Sequence, residues 1–487
     1  MGTINSGIVA FNDGLWAYLL IPLLIVLSLY FTVRSGAVQF RLLPAMFRAI
    51  REDPGLTSDG GRPISAFQAF AVSAAARIGT GNIVGVATAI ALGGPGAIFW
   101  MWVMALLVGA ASFVESTLAQ LYKVGGKGLY HGGPAYYMER GLGSRWMGVL
   151  FAVVITVTFG FVFTSVQSNT ISTAIANTAS AVTGAESAWW LPYAVGVVLA
   201  VSTGVIIFGG ARRIARTATM LVPFMAAVYL LMGLAVVAMN IDQIPAVMTD
   251  IVMHAFGLRE IAAGGIGTAI VQGVRRGMFS NEAGLGSAPN AAASASVSHP
   301  VKQGLVQTLG VYFDTLVVCS TTAFIVLLSD PTYTEGAGPT LTQNALEANL
   351  GSWALHLLTL IILLVAFTSV LGNTFYGSAN VGYLTSNANV MTVFRLSVVL
   401  VTFLGAIGSS SLIWNLADTT MGLMALVNLA ALALLAPTAC RLLTDFVEQR
   451  RRGEDPVFTR DRMPDLTGVE CWDQEELARL RKASARA

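Results

Sequence analysis

The chain has 487 residues, 55% apolar and 11% charged, with 50 glycines and a formal net charge of +2. Apolar stretches of about twenty residues recur along it, which excludes a soluble globular domain and indicates a multi-pass protein of the cell membrane, prokaryotic by type. The cysteines (Cys319, Cys440, Cys471) and histidines (His131, His254, His299, His356) show no CxxC or HExxH spacing. No disulfide framework, zinc site, organic cofactor or metalloprotease chemistry is therefore expected, and the charge balance gives no reason to expect nucleic acid.

Residues 1–14 contain no Lys or Arg and one acid, Asp13. That is the wrong flank for a secretory signal, so they read as an outside N-terminus and 15–34 as a retained extra helix. Arg34, Arg41, Arg48 and Arg51 follow it. The connector 35–62 is placed inside, and its part 39–52 sets basic residues among Phe40, Leu42, Leu43, Met46 and Phe47, an amphipathic surface helix. Ten further spans are expected near 63–93, 96–122, 147–173, 189–209, 214–239, 261–298, 303–328, 352–384, 391–408 and 411–438. Loops assigned inside hold Lys123, Lys127, Arg140 and Arg145, then Arg212, Arg213 and Arg216, then Lys302. Loops 174–188 and 329–351 have no Lys or Arg, and 240–260 has only Arg259. This bias predicts eleven spans, N-terminus out and C-terminus in. Ten Lys/Arg and ten Asp/Glu crowd into the last 47 residues, so 439–487 reads as a solvated cytoplasmic tail ending in a short surface helix at 475–482.

Two spans are broken by glycine-rich polar stretches, Gly79-Thr80-Gly81-Asn82 in 63–93 and 276–287 in 261–298. Non-helical backbone at membrane depth survives only where it lines a cavity or is buried in protein. With the first helix set aside, ten spans divide into repeats 63–239 and 261–438, and the breaks fall on core helices one and six. The expected fold is an all-α 5+5 inverted repeat that resembles the leucine-transporter fold. At the first break, Gly79 and Gly81 free the backbone. The half-helix after Asn82 presents N–H groups to an anion, and the one ending near Ile78 presents carbonyls to a hard cation. A helix-packing kink is the plain alternative for one break alone.

The stretches 76–83, 91–102 and 276–289 resemble the alanine or glycine:cation symporters, as do Ser165-Val166-Gln167-Ser168-Asn169, Phe367-Thr368-Ser369-Val370-Leu371-Gly372 and Asn415-Leu416-Ala417-Asp418. The resemblance covers about 15–440. It implies sodium-coupled uptake of alanine or glycine, with sodium as coupling ion and no enzymatic activity. The first break also resembles the Gly-x-Gly-Asn of the neurotransmitter:sodium symporters. That likeness implies that Thr80 and Gly81 donate to the substrate carboxylate and that Asn82 and the Arg77 carbonyl hold one sodium. A second sodium would lie between the carbonyls of Ala75 and Ile78 and the hydroxyls of Thr368 and Ser369. Gln167, Gly277, Ser280, Asn281 and Asn373 complete the implied substrate site.

The chain departs from the family pattern at Asn373, where many members carry a pocket-closing tryptophan. A smaller polar residue there opens the question of a larger or amide-bearing substrate, against a plain interhelical hydrogen bond. Intramembrane charges are functional candidates by default. Glu282 could pair with Arg275 or Arg276, or bind the substrate ammonium, or satisfy free N–H ends. Arg77 looks to Glu115, Asp418 reads as a gate near the outer end of the last helix, and Asp314 falls within a late span. Asn169 is either a substrate ligand or glue between helices. Proton coupling, a broader or amide amino-acid transporter, and an amino-acid sensor remain the alternatives, while oligomeric state is open.

Overall fold

The computed structural model describes residues 2–52, 64–126, 129–259, 265–329 and 338–473. The expected helix 475–482, Lys127, the end of the inner connector and the start of the second broken span lie outside them. The chain begins as helix earlier than expected, from Gly2–Gly14 through a π-wound turn to Ile21–Arg34. This N-terminal helix is held against the last helix. Asn12 Nδ2 donates to the Asn415 carbonyl at 2.9 Å, and Trp16 Nε1 to the Asp418 carbonyl at 3.2 Å.

Among the described residues, eight helices are long and apolar enough to cross a membrane. A ninth crossing is the pair Ala66–Arg77 and Gly81–Gly93, bent by 49° at the first break. The shorter apolar helix Leu191–Ile207 joins them. The second break separates Gly265–Asn281 from Ala288–Ser294. The Ala66 helix starts cleanly because Ser65 and Gln68 form a reciprocal capping box. It stops at Ile78, whose ψ of 86° leaves the helical well. The second helix stops where Glu282, Gly284 and Gly286 take φ of 56°, 80° and 84°. Glycine adopts that left-handed backbone freely; Glu282 does so only because its surroundings impose it.

The stretches between the expected spans contain a two-stranded hairpin, Val124–Gly126 with Leu129–His131, and the helices Pro134–Leu142, Ile244–Ala255 and Gly338–Leu350. The last helix runs from Ser410 to Arg451, with Pro437 inside it, well past the expected end at 438. The tail beyond it is not a free solvated terminus as far as residue 473. Phe458 and Trp472 are buried, Trp472 Nε1 donates to the Gln120 carbonyl at 3.2 Å, and Lys302 Nζ reaches Asp455 at 2.9 Å. Mixed charge concealed these aromatic anchors.

Candidate functional site

The two breaks meet. A Cβ placed on Gly81 would lie 2.8 Å from the Phe279 ring and 3.3 Å from the Ser280 Cα, so only glycine lets the two segments touch there. A Cβ on Gly79 would strike the Ser369 hydroxyl and lie 3.2 Å from Gln167 Oε1. The helix Ser352–Leu384 is thereby pressed onto the first break, with Gly372 backed on Ala76.

Three oxygens converge where the Ala66–Arg77 helix ends. The Ser369 hydroxyl lies 2.8 Å from the Ala75 carbonyl and 3.5 Å from that of Ile78. Such a set of neutral oxygens suits a hard monovalent cation. Thr368 stands aside: its hydroxyl donates to the Val365 carbonyl and toward Met225 Sδ.

On the other side of the break, Asn82 Oδ1 accepts the Gly79 N–H at 3.0 Å and Asn82 Nδ2 donates to Asp314 Oδ1 at 2.7 Å. Ser280 Oγ donates to Asp314 Oδ2 at 2.8 Å, and Thr315 Oγ1 to the same oxygen at 3.1 Å. Asn281 Nδ2 donates to Thr315 Oγ1, while its Oδ1 takes the Ala283 N–H. Asp314 is thus the carboxylate that both breaks share. The sequence placed it only as a charge within a span. The Thr80 N–H donates to Gln167 Oε1 at 3.2 Å, so Gln167 joins the site; Thr80 Oγ1 is buried with no partner among the described residues. Asn169 does not join it. Its Nδ2 donates to the carbonyls of Gly405 and Gly408, which is interhelical glue. Gly277 packs against Met101, one turn from Ser280.

Asn373 is fully buried one turn beyond Ser369 on the same face, and neither polar atom of its carboxamide has a partner among the described residues. The interhelical hydrogen bond weighed as the alternative for Asn373 is not made among the described residues. A buried amide left unpaired is costly, on the order of 1–3 kcal/mol, so its donors and acceptor are available to a ligand.

The charges sort differently from expectation. Glu282 pairs with neither Arg275 nor Arg276; it accepts the Ser287 hydroxyl at 2.7 Å. Arg276 pairs closely with Asp418, and Arg275 lies 3.6 Å from Asp418 and 3.1 Å from Asp13. Arg77 forms no ion pair with Glu115. It donates to the Gln307 carbonyl at 3.2 Å and is near enough to Glu115, Glu282 and Asp314 to interact through space. Glu115 instead takes the free N–H groups of Gly284 and Gly286, one on each oxygen at 3.1 Å, and the Asn428 amide at 3.0 Å. The role of satisfying free N–H ends, weighed for Glu282, is filled by an acid 169 residues earlier in the chain than Gly284.

Both ends of the site are closed. At the Asp418 end, Phe279 stacks on Phe163 with centroids 4.6 Å apart and leans on Trp414 at 4.9 Å, beneath the Arg276–Asp418 pair. At the other end, Ile64 and Ala295 form a parallel bridge, and the Ser296 N–H donates to the Ile64 carbonyl at 2.9 Å.

The profile of the sodium:alanine symporter family matches residues 1–460. The chain is 50% identical over 462 residues to the probable sodium/glutamine symporter GlnT of Bacillus subtilis, covering 95% of this chain and 94% of that one. It is 47% identical to the amino-acid carrier protein AlsT of the same organism, covering 97% and 98%. Identity to the sodium/alanine symporter AgcS of Methanococcus maripaludis is 38%, over 90% and 96%. Among solved structures, MhsT in complex with L-phenylalanine superposes with a TM-score of 0.55 at 13% identity, over 79% of this chain and 99% of that one, which shows a shared fold.

Proposed function

Because this chain belongs to the sodium:alanine symporter family, and so is a sodium-coupled amino-acid symporter, we propose that its cargo is a neutral amino acid, alanine and, through Asn373, glutamine. Asn373 carries this reading. Its carboxamide is buried beside the first break and has no partner among the described residues, and a glutamine side chain offers the complementary donor and acceptor. GlnT, at 50% identity, is named for that substrate.

In this reading the substrate carboxylate lies on the N–H groups of Thr80 and Gly81, while Gln167, Ser280 and Asn281 line the cavity. One sodium travels with Asn82, the Arg77 carbonyl, Ser280 and Asp314; the other travels with Ala75, Ile78 and Ser369, with Thr368 beside it. Eleven spans arranged as two inverted five-helix repeats after an extra helix, N-terminus out, would put Asp418 outside and Ile64 inside. Alternating access then opens the Arg276–Asp418 and Phe279 closure and the Ile64–Ala295 closure in turn. Asp418 gates through Arg276.

Purified protein in liposomes with an imposed inward sodium gradient should concentrate labelled glutamine and alanine, and should not do so when choline replaces sodium at fixed pH. Uptake driven equally by a proton gradient without sodium would overturn the coupling, and exclusion of glutamine would overturn the role of Asn373.

A further inference from the structure

At the face of the molecule that carries Ile64, an open cavity of about 590 Å³ lies between the end of the first helix and the emerging last helix. Four guanidinium groups line it, from Arg34, Arg41, Arg441 and Arg451, against one acid, Glu448. Arg441 is already occupied, giving Asp465 two hydrogen bonds of 2.7 Å. Arg41 lies over Gly36, whose φ of +60° and whose missing Cβ admit it, and donates to the Ser35 carbonyl at 3.4 Å. Arg34 and Arg451 have no hydrogen bond or ion pair among the described residues. Four positive charges face Glu448 and Asp465, so the cavity keeps a net positive charge with unused donors.

Its surroundings are not those of a solvent pocket. Val33, Leu443 and Val447 supply an apolar wall. The short helices that follow Gly36 expose Phe40, Leu43 and Phe47 outward. A basic head site joined to an apolar surface at a span's end matches the interface of a charged leaflet.

We infer that this cavity binds the headgroup phosphate of an anionic phospholipid. Arg34, Arg41 and Arg451 present planar N–H forks to the phosphate oxygens, and the acyl chains run over Val33 and the exposed aromatic face. The assignment to the inner leaflet rests on the proposed topology; lipid binding itself does not.

The test is native mass spectrometry of the detergent-solubilised full chain titrated with phosphatidylglycerol, phosphatidylcholine or phosphatidylethanolamine, and with inorganic phosphate as competitor. Phosphatidylglycerol should be retained at least about fivefold better than either zwitterionic lipid, the equivalent of one net hydrogen bond. The double variant Arg34→Gln/Arg451→Gln should lose that preference, while Arg34→Lys/Arg451→Lys keeps most of it and both melt like the parent. Equal retention of all three lipids, or unchanged preference in the glutamine variant, overturns the site. Displacement of the lipid by equimolar inorganic phosphate would show a free-anion site and overturn the lipid. Sodium-driven uptake in neutral-lipid vesicles, measured beside it, fails only if the transport reading fails.

Discussion

Asn82 and Asp314 are joined by a 2.7 Å hydrogen bond, and through it the first break is tied to the helix that follows the second. The same carboxylate takes the hydroxyl of Ser280, so one acid, 232 residues along the chain from Asn82, coordinates both interruptions. A buried carboxylate held by three neutral donors is well placed to exchange one of them for a cation.

Asp314→Asn should therefore raise the half-saturating sodium concentration for uptake about tenfold or more, since hydrogen bonds and contacts to a charged group are worth roughly 1.5–3 kcal/mol. Asn82→Ala should abolish sodium-dependent uptake while the protein remains folded. Sodium titration of uptake in proteoliposomes checks both; an unchanged sodium dependence in Asp314→Asn removes it from the ion site.

Gly81→Val should eliminate substrate binding without preventing membrane insertion. The added Cβ would sit 2.8 Å from the Phe279 ring, and its branches would cover the N–H groups of the break. Binding measured by scintillation proximity within a few-fold of the parent would show that the glycine serves packing alone.

Asn373→Trp should narrow the substrate range toward glycine and alanine, because an indole fills the space one turn from Ser369. Asn373→Ala should instead weaken glutamine about tenfold relative to alanine. Competition by glycine, alanine, serine, leucine and glutamine decides the matter, and an unchanged ranking in both variants places the residue outside the pocket.

Glu115→Gln leaves one amide oxygen for two backbone N–H groups, those of Gly284 and Gly286. One buried donor is stranded at a cost of about 1–3 kcal/mol, so the melting temperature should fall. Glu115→Asp, with a shorter reach, should fall as well, and a melting temperature equal to the parent's in both would show that the second break holds its shape unaided.

The docked tail should loosen in acid. His299, at the start of the Pro300 helix, accepts the Val301 N–H on Nδ1 and meets Asp445 at 3.2 Å through Nε2. Burial, opposed by Asp445 and helped by Lys302 and Arg462, pushes its imidazole down to about 4 from the ordinary 6.5. The unfolded or undocked form thus binds a proton between pH 6.5 and 4 that the docked form does not. Stability is complete above about 6.5 and falls with pH, at up to about 1.4 kcal/mol per unit through that window. Hydrogen exchange of 456–473, corrected for intrinsic rates, should quicken from pH 7.5 to 4.5. His299→Asn should flatten that response, and equal responses in the two forms would exclude His299 as its source.

The sequence alone determined the class, the apolar spans, and the location of both breaks, because hydropathy and glycine placement are local consequences of the bilayer as solvent. Thr80, Gly81, Asn82, Gln167 and Ser369 were legible for that reason together with the family likeness. Partner choice was not. Which acid meets Arg276, and which acid caps Gly284 and Gly286, depends on where helices far apart in the chain cross, and a one-dimensional pattern of charges allows several pairings. The tertiary structure gave Arg276 to Asp418, the break to Glu115, and Asp314 to Asn82 and Ser280. It also turned a tail that looked solvated into a docked segment, since Trp472 meets Gln120, 352 residues away, and Phe458 packs against both Trp472 and the distant His299. In a medium that pairs no polar group for the protein, those long-range hydrogen bonds are decided by helix packing, which only the folded chain contains.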